Sequence, residues 1–250
     1  MEKTKISVVI PVFNSSEIIP ELVERLKATF DNLSNYGFEL IMVNDGSEDK
    51  SWEELKIQKD KFPELLKVIN FTKNYGQHNA ILCGFSFCSG DFVITMDDDL
   101  QHPPEEIIKL IEAQKIKEAD IVYGVYKVKH HSFIRNFGGL IMRKTSDYRK
   151  QNDEGGSSFR LIRKSLVDTL VQKHAQHFLF LDAALNWYNT NIQVVEVNHE
   201  SRKQGKTGYS LSKLFYIYLN ILDLMVKNQI ASNHYFARPQ NVLQQVQQFS

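Results

Sequence analysis

A chain of 250 residues, 42% of them hydrophobic, is long enough for one large α/β domain or two small ones and has the composition of a soluble globular protein. Thirty basic residues balance thirty acidic ones, so nothing in the net charge points to a nucleic-acid partner. The two cysteines, Cys83 and Cys88, lie five apart on a predicted helix and off each other's face, which argues against a disulfide and for buried thiols in a reducing compartment.

The opening "MEKTKISVVIPV" lacks the features of a signal peptide: its apolar run is about seven residues and no small-residue cleavage site follows. The β-branched run 6–12 predicts a buried strand, and Asn14 and Ser15 are candidate caps for a helix over 17–30. Strands are predicted over 38–44, 66–71, 91–96 and 120–125. Helices are predicted between them, over 51–61, 78–88 and from Pro103 and Pro104 to about 118. Further on, 157–162 and 192–197 read as strands, and 164–172, 177–188 and 210–228 as helices. No stretch reaches the roughly 18 uninterrupted apolar residues of a membrane span. The helix over 210–228 has Leu214, Tyr218, Ile221, Leu222 and Met225 at helical spacing, which suits a core face or contact with a membrane surface. One domain over 1–228 is expected. A Gln-rich tail, 229–250, is left as disorder or a partner-binding helix.

Strands alternating with helices predict a Rossmann-like, mostly parallel sheet with helices on both faces. Ligands of such sheets bind beyond the carboxyl ends of the strands. The polar clusters "NSSE", "NDGSED" and "DDDLQH" each follow a predicted strand, so they should meet on one rim. Neither G-x-G-x-x-G nor G-x-x-x-x-G-K-[ST] is present, which excludes the usual dinucleotide and P-loop phosphate sites.

"MDDDLQHPPEE", 96–106, sets three carboxylates side by side. Along a strand, Asp97 and Asp99 would share a side while Asp98 turns away, and Gln101 would add a carbonyl oxygen. That all-oxygen set suits Mg²⁺ or Mn²⁺. A calcium EF-hand fits poorly, since the sixth position from Asp97 is His102 rather than Gly and the twelfth Ile108 rather than Glu. The competing explanation is plain capping of the helix that follows, whose dipole favours anions.

Five segments in order, "VVIPVFN" (8–14), "VNDGSEDKS" (43–51), "FTKNYGQHNA" (71–80), "MDDDLQHPPE" (96–105) and "RKQGKTGYSLSKL" (202–214), resemble the family 2 glycosyltransferases of the GT-A fold. "DLQHPPE" and the Arg-x-x-Gly-x-Thr-x-Tyr pattern are similar to the branch that makes polyprenyl-phosphate sugars, which includes dolichyl-phosphate mannose synthase. The resemblance implies that Pro11 shapes a base pocket and Asp45 accepts from base or ribose. It also implies that Asn74 and Gly76 line the nucleotide site and that Asp97, Asp99 and Gln101 hold a metal on the donor diphosphate, with Asp97 also at the nucleotide. Arg202 would face a phosphate. Asn44 and Ser158 stand where many relatives carry aspartate.

The expected reaction is inverting transfer from a nucleoside diphosphate sugar, with Mn²⁺ or Mg²⁺ as cofactor, on the cytoplasmic side and peripheral to the membrane. A polyprenyl phosphate acceptor needs cations rather than a base, and Arg202, Lys203, Lys127, Lys129, Arg135 and Arg143 are candidates. A glycan hydroxyl acceptor needs a base, for which Asp182 in "FLFLDAAL" is the candidate beside a purely structural role. Tyr209 would touch the acceptor or simply pack. A sugar nucleotidyltransferase and an inactive sugar-nucleotide binding module are the readings from other classes.

Overall fold

The computed structural model describes residues 3–126, 157–174, 181–185, 188, 190–200 and 246–248. The first half alternates strictly: β1 (Thr4–Val12), α1 (Ile19–Asp31), β2 (Tyr36–Asn44), α2 (Ser51–Lys61), β3 (Leu66–Phe71), α3 (Gln77–Phe85) and β4 (Phe92–Thr95). A 3₁₀ turn, Pro104–Glu106, runs into α4 (Ile107–Lys117), followed by β5 (Ile121–Val125). Then come β6 (Arg160–Arg163), α5 (Lys164–His174), α6 (Leu181–Leu185), β7 (Ile192–Glu196) and β8 (Val246–Gln248). The predicted helix over 210–228 lies outside the described residues.

The strands form one sheet in the order β7-β5-β6-β4-β1-β2-β3-β8. The β1–β2, β1–β4, β2–β3 and β5–β7 pairs are parallel, and β6 runs antiparallel to both β4 and β5. The strand alternation splits the core into two layers. Ile6, Val8, Ile10, Val12, Leu40 and Met42 pack on Leu22, Leu26, Leu55 and Leu110 of α1, α2 and α4. Val9, Ile41, Val43, Ile69 and Val93 face the other way, against α3, α5 and α6. Pro11, which has no N–H, is tolerated in this central strand because the β1–β4 register ends at Val9 opposite Thr95.

Three local expectations change. Asn14 and Ser15 do not cap α1 with their side chains: the helix begins at Ile19, and the Ser15 carbonyl accepts from the N–H groups of Ile18 and Ile19 at 2.9 and 3.2 Å. The Ser15 hydroxyl is drawn instead to the half-buried carboxylate of Asp98, the stronger acceptor. Helix α3 stops at Phe85, so Cys88 lies past it; both thiols are buried and unpaired, and burial pushes each up to about 12. In the tail, Val246–Gln248 form a strand antiparallel to β3 rather than a helix.

Away from the rim, Glu39 ties the central strands together. Its carboxylate accepts from Ser7 Oγ at 2.6 Å and from the N–H and Oγ of Ser89 at 2.6 and 2.9 Å, and it pairs with Lys67 Nζ at 2.9 Å and Lys5 Nζ at 3.2 Å. These partners span β1, β2, β3 and the entry to β4. Burial opposes ionisation of Glu39, but the hydrogen bonds from Ser7, Ser89 and Lys67 outweigh it and bring the carboxyl from 4.5 down to about 2. A depressed folded value means that its stabilisation is present above pH 4.5 and lost as pH falls towards 2. Glu39→Gln is therefore expected to cost about 2–4 kcal/mol at pH 7. It should also flatten the acid-dependent loss of stability below pH 4.5, which urea unfolding at pH 7 and pH 3 checks.

Candidate active site

In the sheet, β1 lies between β2, which follows it, and β4, which arrives after a crossover. Crevices open at the carboxyl ends where strand order reverses in this way. The loops that follow β1, β2, β3 and β4 all meet there, and hydrogen bonds tie them together.

Asp98 spans the crevice. Its Oδ2 accepts from the Phe13 backbone N–H at 3.0 Å and from Ser15 Oγ at 2.6 Å, joining the β4 turn to the β1 loop. Burial raises its carboxyl to about 6, against the lowering effect of those two donors. Asp97 turns to other partners: Gln77 Nε2 donates to Oδ1 at 2.5 Å and Ser158 Oγ to Oδ2 at 2.6 Å. Burial raises Asp97 as well. The Ser158 bond opposes that, the neighbouring Asp99 charge adds to it, and the Arg160 charge lowers it. Asp99 is buried and its Oδ1 accepts from the Gln101 N–H at 3.1 Å, closing a tight turn in which Leu100 has φ 59°. These three residues follow β4, which ends at Thr95, so the side-to-side alternation of a strand does not set their directions. Separate hydrogen-bond partners do, and Asp98 does turn away from Asp97.

Asp45 sits at the end of β2 and is buried. Its Oδ1 accepts from the Tyr75 N–H at 2.7 Å and its Oδ2 from the Gly76 N–H at 2.9 Å. The carboxylate thus holds the loop that carries Asn74 and Gly76. Asn74 is exposed on that loop. Gly46 allows the close approach: with φ +65°, a Cβ there would lie 2.3 Å from the Lys73 carbonyl carbon. Asn14 and Ser47 cross-link the β1 and β2 loops through Asn14 N–H to Ser47 Oγ at 3.0 Å and Glu48 N–H to Asn14 Oδ1 at 2.8 Å.

The structure therefore brings Pro11, Asp45, Asn74, Gly76, Asp97, Asp99 and Gln101 to one rim. Asp182 lies on α6, but its side chain is outside the described residues, as are Arg135, Arg202, Lys203 and Tyr209 and the further cations Lys127, Lys129 and Arg143. Among the described residues no cluster of three or more His, Cys, Asp or Glu forms a metal site on its own. Asp97 and Asp99 lie close enough for the Asp99 charge to raise Asp97, and their oxygens are of the kind that a hard cation takes. A separate cleft of about 510 Å³ lies at the amino ends of β1, β2 and β4, between Lys3, Tyr36, Phe92 and Lys115, and holds none of these residues.

Sequence reasoning missed Gln77 and Arg160. Arg160 is fully buried on β6, with Nε donating to Thr95 Oγ1 at 3.0 Å and its guanidinium 5.9 Å from the Tyr123 ring. A charged residue inside "SSFRLI" was the available signal, since a buried cation needs a partner.

A parallel α/β sheet whose strand-end loops gather carboxylates around a switch-point crevice defines a nucleotide-binding class of enzyme folds. The family model for "Glycosyl transferase family 2" matches residues 7–170, and the chain belongs to that family. It is 34% identical over 219 residues to an undecaprenyl-phosphate 4-deoxy-4-formamido-L-arabinose transferase of Sodalis glossinidius, covering 86% of this chain and 65% of that protein. It is also 34% identical to the protein of the same description from Edwardsiella ictaluri, covering 84% of this chain and 64% of that protein. The chain thus spans just under two thirds of the length of these relatives. In fold it is similar to a mannosyltransferase of Pyrobaculum calidifontis in complex with GDP-Man and Mn²⁺, at TM-score 0.60 and 14% identity over 82% of this chain and 59% of that one. It is likewise similar to glucosyl-3-phosphoglycerate synthase of Mycobacterium tuberculosis in complex with UDP, at TM-score 0.61 and 16% identity over 90% of this chain and 79% of that one. The GT-A fold expected from the sequence is the fold found.

Asp98→Ala should cost about 2–4 kcal/mol in urea unfolding, because two donors, Phe13 N–H and Ser15 Oγ, lose a charged acceptor.

Proposed function

We propose that this chain is an inverting, metal-dependent glycosyltransferase that moves a sugar from a nucleoside diphosphate sugar to a polyprenyl phosphate. The observation that carries the reading is the Asp97–Asp99 turn at the switch point, opposite the Asp45 loop. One part suits a diphosphate-bound cation and the other a nucleoside. The polyprenyl-phosphate description of the relatives at 34% identity supports the acceptor class.

In this mechanism Asp45 and the Asn74–Gly76 loop orient the nucleoside. Asp97, Asp99 and the Gln101 side-chain carbonyl would hold Mg²⁺ or Mn²⁺, which would supply positive charge against the leaving diphosphate. Gln77, Ser158 and Arg160 keep Asp97 in place. An oxygen of the acceptor phosphate attacks the anomeric carbon from the face opposite the leaving group. The carbon–oxygen bond to the diphosphate breaks, and the diphosphate departs with the electron pair. The phosphate is already ionised, so no base is needed, and Arg202 pairs with it. The acceptor lies in the membrane, and the reading places the protein peripherally on the cytoplasmic face. Among the described residues no helix is long and apolar enough to cross a membrane.

Asp99→Asn should abolish transfer while leaving the unfolding midpoint close to that of the parent. Chelator should do the same to the parent, with Mn²⁺ or Mg²⁺ restoring activity. NDP release measured over a panel of NDP-sugars reads both effects, and full activity in excess chelator would remove the metal from the mechanism.

The acceptor class is tested by a pair of substitutions. With polyprenyl phosphate, Arg202→Ala should lower kcat/KM by about 2–4 kcal/mol, and Asp182→Asn should cost much less. With a glycan hydroxyl acceptor the order reverses, since loss of a base costs about 10²–10⁴-fold in rate. Transfer to a soluble glycan, with none to polyprenyl phosphate, would overturn the lipid reading.

A further inference from the structure

The segment 198–200 follows β7 and leads, two residues later, to Arg202. Each of its three residues is anchored to the stretch 101–106 that completes the aspartate motif, or to a neighbour of it. Glu106 takes the Asn198 backbone N–H on Oε2 at 2.8 Å and the Asn198 side-chain amide on Oε1 at 2.9 Å. The His199 ring lies edge-on to His102, centroids 5.6 Å apart, and tilted over Tyr126 at 4.4 Å. The Glu200 N–H donates to the Gln101 carbonyl at 2.9 Å. The Glu200 carboxylate accepts from Arg25 at 3.2 Å, and Arg25 also grips Glu105 through Nε and Nη2 at 3.0 and 2.7 Å.

Glu106 is buried, as is His102, and Lys109 Nζ at 2.6 Å balances its charge. A buried carboxylate that spends both oxygens on one loop residue holds that residue in a single orientation. The contact is continuous with the site. His102 stacks on Phe159 at 5.1 Å, and the preceding residue, Ser158, donates to Asp97. Gln101 meets both Asp99 and Glu200 through its backbone.

We propose that Glu106 is a positioning residue for the transfer: by holding Asn198 against the aspartate motif, it fixes the segment 198–200, which precedes Arg202 in the sequence, relative to Asp97 and Asp99. This rests on the reading of Arg202 as the acceptor-phosphate residue. A segment already held at 198–200 has less freedom to lose when the acceptor binds. Loss of the anchor should therefore appear in acceptor use and leave donor binding alone.

The test combines kinetics with hydrogen exchange on the whole chain. Glu106→Ala is expected to lower acceptor kcat/KM at least ten-fold while leaving the affinity for nucleoside diphosphate plus Mn²⁺ within two-fold. Combined with Arg202→Ala, it should add less than two-fold to the single Arg202→Ala loss, because in this proposal Glu106 acts on the acceptor step only through Arg202. Glu106→Gln, which keeps an acceptor for the Asn198 N–H, should recover part of the activity. Independently of any acceptor, the amides of 198–200 should exchange at least ten-fold faster in Glu106→Ala. If Glu106→Ala does not fold, Glu106→Gln and Asn198→Ala carry the same comparisons. Unchanged exchange at 198–200, an equal fall in donor affinity, or full additivity with Arg202→Ala overturns the proposal. Absence of any transfer to polyprenyl phosphate by the parent overturns the acceptor reading instead, and exchange alone then decides whether Glu106 anchors the segment.

Discussion

Three carboxylates in a row repel one another, and most of what surrounds the rim follows from how this chain keeps them together. Each is given to different donors. Asp98 is spent on the β1 loop through Phe13 and Ser15. Asp97 is steadied by Gln77 from α3 and by Ser158 before β6, with the Arg160 charge behind it. Asp99 closes its own turn on Gln101. Four parts of the chain that are distant in sequence must therefore meet at one place, and the sheet order is what brings them there. The remaining repulsion between Asp97 and Asp99 is what a divalent cation would relieve.

The rim is assembled from loops, yet it is braced like a core. Asp45 fastens the β2 end to Tyr75 and Gly76, and Gly46 lets the two loops approach within van der Waals reach. Asn14 and Ser47 do the same between the β1 and β2 ends. The buried carboxylate of Asp45 and the half-buried one of Asp98 serve as hubs because each can accept several donors at once. Below the rim, Glu39 has the same role for β1 to β4. The division of labour is physical: Glu39 holds the strands together, and the rim hubs hold the loops to one another.

Particular residues show how far the sequence could be read. The strands and helices of the first half were legible because apolar runs and turn residues agree there, and α2 and β3 fall on their predicted spans. The α1 start was misread. Asn14 and Ser15 look like ordinary caps in one dimension, but Ser15 has a better acceptor in Asp98, 83 residues away. Asp98 itself was discounted as the aspartate that turns aside. It does turn aside, and that is how it joins two loops. The antiparallel β6 could not be foreseen from alternation alone, since its four residues carry no mark of direction. Gln77 and Arg160 were missed because their importance lies in what they touch.

The sequence by itself determined the class of fold, the rim on which the polar loops gather, and the candidate metal set, since each depends on local pattern: apolar periodicity, strand-end polarity and carboxylate spacing. The tertiary structure alone decided which aspartate meets which partner, that the cation Arg160 sits beneath Asp97, and that the segment 198–200 is docked on Glu106, His102 and Gln101. Apart from the Gln77–Asp97 and Gln101–Asp99 bonds, those are contacts across about 60 to 100 positions of chain. Nothing local encodes them, because a hydrogen bond between distant residues is set by sheet order and register, and only the folded sheet supplies both.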